Sequence, residues 1–191
     1  MDEEEQLREQ IIDAAIDSFT EQGLKFTMND LAKKLGISKK TIYTVLESKQ
    51  MVLKGIADRY ASDFKAMQEE IEADERLDLK GKIERMLCAL PTQYYNIGLS
   101  RMYELSTKYP KEYRYLMESV NQGWALVERY IRRGVKEGVL RKISIPVAMA
   151  MIKGTVKCFL ESDVLDHNML SYEQGKEQMI DIIMKGMEQD E

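Results

Sequence analysis

Leu7, Ile11, Ala14, Ala15 and Phe19 recur at steps of three and four, with charged residues between them. That spacing puts one apolar stripe along an α-helix. The stripe stops near Gly23, a residue suited to the left-handed position just past a helix end. Thr27 then stands as an N-cap with Asp30 three residues on, a short relative of the capping box, so a second helix is predicted over "MNDLAKKL" with Leu31 and Leu35 inward. Gly36 is placed to close that helix and Ile37 to plug the corner. Ser38 is placed to cap a third helix from about Lys39 to Leu46. Two short helices joined in this way form a helix-turn-helix.

Ser48 opens a fourth helix by the same capping logic, and Met51, Leu53, Ile56, Ala57, Tyr60, Phe64, Met67 and Ile71 carry it to about Ala73. Five further helices are predicted over about 77–96, 99–108, 111–137, 145–166 and 171–188, separated by Pro, Gly, Asn and Asp breaks. The expected fold is all-α, about nine helices in all. A three-helix helix-turn-helix module over residues 1–48 is followed by a larger helical bundle over 49–191.

Composition agrees with this pattern. Only three prolines and eleven glycines are available among 191 residues to punctuate strands, and 44% hydrophobic with 32% charged residues suits a helical globular protein. "PVAMAMI" at 146–152, the longest apolar run, is far short of a membrane span. "MDEEEQ" lacks the basic and apolar regions of a secretory signal, so a cytoplasmic location is expected. Cys88 and Cys158 have no metal-ligand spacing and read as reduced thiols.

The net charge of −5 argues against a nucleic-acid partner only if the charge is evenly spread. It is not. Residues 1–23 carry eight acidic side chains against Arg8, whereas residues 24–54 carry seven lysines against Asp30 and Glu47. Partners are chosen by local patches, and the basic one falls on the helix-turn-helix.

The stretch "FTMNDLAKKLGISKKTIYTVLESKQMVL" resembles the DNA-binding module of the TetR family of bacterial transcriptional regulators. The matching residues are Thr27, Met28, Leu31-Ala32, Gly36-Ile37-Ser38, Thr41-Ile42-Tyr43 and Ser48-Lys49. "GVKEGVLR" at 134–141 is similar to a recurrent passage nearer the family's C-terminus. Two positions depart from the pattern. Val45 stands where an aromatic residue or histidine is common and has no group to bond a phosphate. Lys40, where many members have glycine, adds charge and reach.

In a helix-turn-helix the second helix enters the major groove with its opening residues toward base edges. This assigns base reading to Lys39, Lys40 and Thr44, and backbone anchoring to Thr27, Ser38, Thr41, Tyr43 and Lys49. The resemblance implies the phosphate contacts of Thr41 and Tyr43. It further implies a sequence-specific regulator of double-stranded DNA, a repressor released from its operator by a small molecule bound in the larger domain. One recognition helix is a small footprint. Two copies must sit about 34 to 36 Å apart to meet successive major grooves on a palindromic operator, so a homodimer is expected. Its seam is expected on the last two helices, at Ile152, Val156, Leu160, Met179, Ile180, Ile183 and Met187, with Ile182 and Met184 on the same apolar helix.

For the effector, Cys88, Tyr94, Tyr95, Met102 and Tyr103 cluster around Pro91, which interrupts its helix, and Trp124 and Phe159 are placed to close a cavity from neighbouring helices. Each has plain core packing as the competing reading. Such walls suit a largely apolar or aromatic molecule, and Arg101 and Arg114 offer a counter-charge to an acid. Asp163 and His167, the only histidine, are four apart, but two ligands do not make a metal site. No metal or cofactor is expected. No GxSxG, HExxH or phosphate-cradling glycine loop is present, and one histidine leaves few general-base arrangements. The chain therefore reads as no enzyme. The alternatives are a helical protein-binding adaptor, which leaves the clustered lysines unexplained, and an activator using the same helix-turn-helix.

Overall fold

A computed structural model describes residues 2–89 and 104–189, apart from the side chains of Leu160, Glu161 and Asp166. Among the described residues the structure is helical, with no strand. Helix α1 spans Glu3–Gln22: Asp2 accepts the Glu5 N–H at 2.7 Å, and three glutamates fill its first turn, where the helix dipole favours negative charge. Gly23 has φ 62 and ψ −144, so it has positive φ but is not in the left-handed helical region, and it leads into a single 3-10 turn, Gly23–Lys25.

Helix α2 spans Met28–Leu35 and opens on a complete capping box. The Thr27 hydroxyl accepts the Asp30 N–H at 3.2 Å, and the Asp30 carboxylate accepts the Thr27 N–H at 2.8 Å and its hydroxyl at 2.7 Å. Gly36 ends α2 at φ 66 and ψ 26, the left-handed conformation that a side chain would strain. Ser38 then caps α3, Lys39–Val45, by accepting the Thr41 N–H at 3.0 Å. Ser48 caps α4, Lys49–Ala73, through the Met51 N–H at 3.3 Å.

The remaining elements are α5, Leu79–Cys88, a helical stretch at 104–108, α6, Pro110–Lys136, α7, Ile145–Glu161, α8, Val164–His167, and α9, Tyr172–Met187. The helix expected over 145–166 is therefore two. Ser162 is extended at φ −132 and ψ 167, and its hydroxyl donates to the Cys158 carbonyl at 2.8 Å while accepting the Val164 N–H at 3.3 Å. A serine that bonds the backbone on both sides offers the chain an alternative to helix continuation. The helix expected over 77–96 starts later, at the Asp78 cap, and its break at Pro91 lies outside the described residues.

The chain divides into two compact units, Met1–Ser62 with Asn96–Ser119, and Asp63–Tyr95 with Val120–Glu191. In the first, α1, α2 and α3 pack on one another, with Ile11, Phe19, Phe26, Leu31, Ile42 and Leu46 buried. Helix α4 closes on α1 at Gly55, where a Cβ would collide with the Ile12 side chain, and Arg59 of α4 bonds Glu9 and Asp13 of α1.

The second unit is built on one hydrophobic core, to which α5 contributes Ile83 and Leu87, α6 Val127 and Ile131, and α7 and α9 much of the rest. Most of the side chains expected at a dimer seam are used in this core. Ile152, Val156, Met179, Ile180 and Met187 are buried in the chain's own core, and Ile183 is partly buried against it. The side chain of Leu160 lies outside the described residues. The physical reason is that helical periodicity marks the apolar face of a helix and not what covers it. Among the described residues, the large apolar side chains that α7 and α9 leave to solvent are Val147 at 56%, Met151 at 60% and, of those named on the last helix, Ile182 at 70% exposure.

Candidate nucleic-acid interface

The seven lysines of residues 24–54 do different work. Lys34 pairs with Asp17 at 3.2 Å and Glu21 at 3.7 Å on α1, so part of that helix's acidity is matched by this lysine at the surface. Lys54 pairs with Asp58 at 2.9 Å and lies over the Tyr115 ring. Lys25, Lys33, Lys39 and Lys40 face solvent, with no ion pair among the described residues. Two of these four open α3.

Lys49, expected to grip a phosphate, is half-buried and turned inward. Its ammonium donates to the carbonyls of Leu24 at 2.6 Å and Phe26 at 2.5 Å and lies 4.2 Å from the centre of the Phe26 ring. Burial pulls its pKa below the ordinary lysine value, against the opposing pull of Glu104. Two of its three N–H groups thus hold the turn that leads into α2. Nothing in the local sequence marks this, because its partners lie 25 and 23 residues earlier.

Thr27 is likewise committed: its hydroxyl proton goes to Asp30, whose carboxyl is held low by that bond and by the Thr27 N–H. Ser38 and Thr41 share a hydrogen bond of 2.8 Å between their hydroxyls, and Thr41 is half-buried. Thr27, Ser38, Thr41 and Lys49 therefore build the module's corners. Lys39, Lys40, Tyr43 and Thr44 are its exposed surface on α3, with Tyr43 39% exposed and the Lys39 ammonium 5.7 Å from its ring centre. Val45, which has no polar group, is half-buried on the last turn of α3.

The candidate effector walls divide differently. Trp124 is buried, and Cys88 and Phe159 are partly buried against the same core of the second unit. Burial also raises the Cys88 thiol pKa. Tyr94, Tyr95, Met102 and Tyr103 lie outside the described residues. Asp163 and His167 form an exposed contact of 3.1 Å one turn apart. Among the described residues no helix is long and apolar enough to cross a membrane.

A capped two-helix corner that presents a short, lysine-bearing second helix to solvent defines the chain as an all-helical helix-turn-helix DNA-binding protein. The model of bacterial regulatory proteins of the tetR family matches residues 11–56, from α1 into α4. Over 171 residues, 90% of each chain, the protein is 23% identical to YvaF of Bacillus subtilis (strain 168), an uncharacterised HTH-type transcriptional regulator. A protein from Saccharomonospora viridis described as a transcriptional regulator, solved in complex with choline, superposes with a TM-score of 0.78 at 18% identity, covering 97% of this chain and 100% of that one. The transcriptional regulator FadR of Bacillus subtilis, solved with stearoyl-CoA, gives a TM-score of 0.69 at 20% identity, covering 93% and 98%. Residues 11–56 of the chain are thus similar to the DNA-binding module of the tetR family.

Proposed function

We propose that this protein is a cytoplasmic repressor that holds a palindromic operator as a homodimer and releases it when a small, largely apolar molecule binds the helical region after residue 48. The observation that carries the DNA-binding part is the surface of α3. Lys39, Lys40, Tyr43 and Thr44 are exposed together on a helix whose position is held by caps at both ends of the turn. Lysine, tyrosine and threonine are the groups that meet phosphates and base edges in a major groove.

Dimerisation supplies the second recognition helix. Its seam is assigned to the exposed side chains Val147 and Met151 of α7 and Ile182 of α9, since the buried faces of those helices are already used. Release by an effector is supported by the relatives: FadR was solved with stearoyl-CoA and the Saccharomonospora viridis protein with choline. Here Cys88, Trp124 and Phe159, with Tyr94, Tyr95, Met102 and Tyr103, are the proposed walls. A ligand releases DNA only in so far as it binds the DNA-free state more tightly.

The deciding experiment is recovery of bound fragments from sheared bacterial genomic DNA by the full chain. A small set of fragments sharing an inverted repeat, held with an affinity that falls steeply with salt, is the expected result. Equal and feeble retention of all fragments at every salt concentration would reject the proposal.

A further inference from the structure

The surface of α3 separates into faces with different chemistry. Ile42 is fully buried and marks the inward direction of the helix. At about 100° per residue, Lys40 and Thr44, two positions to either side, lie opposite it and point most directly away from the protein. Lys39 and Tyr43 lie together on one flank, joined by the ammonium-to-ring contact of 5.7 Å. Thr41 and Val45 occupy the other flank and are half-buried.

Thr44 is further constrained. Its hydroxyl donates to the Thr41 carbonyl at 2.7 Å, so its one proton is spent inside the helix. Outward it offers a methyl group and oxygen lone pairs, and no donor. Lys40 is the reverse, with three donors and no acceptor. The Lys39 ammonium, set over an aromatic ring on the flank, is placed beside Tyr43, whose phenol suits the phosphate backbone.

Resting on the DNA-binding reading above, we infer that Lys40 and Thr44 are the specificity-determining pair. Lys40 reads a guanine through its O6 and N7 acceptors, and Thr44 reads a thymine through methyl-to-methyl contact. Lys39 with Tyr43 serves the backbone and carries no base preference. Four residues of helix span about 6 Å, so the guanine and thymine fall within about two base-pair steps of each other in each half-site.

The test is selection from randomised duplexes by the full chain and by single variants, each first shown by thermal melting to be folded, followed by titration of the selected sites across a salt series. Lys40→Ala is expected to erase the preference for guanine at one half-site position, with a loss of about tenfold or more on the wild-type site. Lys39→Ala is expected to weaken all duplexes equally and to lower the salt slope by about one per subunit, with the selected sequence unchanged. Thr44→Val keeps a methyl and is expected to keep the thymine; Thr44→Ser keeps the hydroxyl and is expected to lose it. Loss of guanine preference in Lys39→Ala and not in Lys40→Ala, or a thymine preference that survives in Thr44→Ser and disappears in Thr44→Val, would overturn the assignment. A wild-type chain that selects no sequence removes the DNA-binding reading itself, and this inference with it.

Discussion

Single side chains in the DNA-binding module take their roles from where their hydrogen bonds end. Lys49 shows this most sharply. A lysine at the start of a helix beside a basic surface looks available to phosphate, yet its ammonium satisfies two backbone carbonyls of the turn before α2. Lys49→Met keeps the length of the side chain and leaves both carbonyls unpaired. It is expected to cost about 1–3 kcal/mol in urea unfolding, and operator affinity is expected to fall only through the disorder of that turn. Unchanged stability with a full loss of affinity would return Lys49 to the phosphate. Val45 departs from the pattern that the sequence resembles, and the structure places it half-buried on α3, away from the exposed face of Lys40 and Thr44.

Helix boundaries follow from caps, and closeness between helices follows from glycine. Ser38, Thr27 and Gly36 are recognisable in sequence because a cap acts on atoms within a few residues. Gly55 has no such signature, since what it makes room for is Ile12 on another helix. Gly55→Ala is expected to destabilise the protein by about 1–3 kcal/mol, read as a lower midpoint in thermal or urea unfolding. The turn after α4 adds a pH-dependent contact. Bonds from the Arg76 side chain and then from its backbone N–H lower the Asp74 pKa from 3.8 to about 2. The folded value lies below the unfolded one, so this contribution is complete above about pH 4 and disappears as pH falls toward 2. Asp74→Asn should flatten that part of the acid-unfolding curve, and an identical curve would show the contact to be without effect.

For the whole molecule the decisive question is which apolar surface one chain buries and which it leaves for another. Ile152 and Ile182 belong to the same pair of helices, and the first is fully buried whereas the second is 70% exposed. Met151→Glu with Ile182→Glu is expected to give a folded monomer by analytical ultracentrifugation, with far weaker operator binding. Ile152→Glu places an unpaired charge in the core and is expected to unfold the second unit. A double variant that remains dimeric and binds DNA normally would place the seam elsewhere.

The helical fold, the two-helix corner and its caps are written in the sequence, because periodicity and capping are local and the atoms that decide them lie within one or two turns. The charge reversal between residues 1–23 and 24–54 is equally legible, and it points to the basic module. Only the tertiary structure decided which lysines remain available: Lys34 and Lys54 are paired and Lys49 is turned inward, leaving Lys39 and Lys40 exposed on α3. It also decided which apolar side chains of α7 and α9 the chain buries in its own core, Ile152 and Val156 among them, and which it leaves to solvent, Val147, Met151 and Ile182. Both outcomes depend on contacts between residues far apart in the chain, and a pattern read along one helix carries no information about its neighbour.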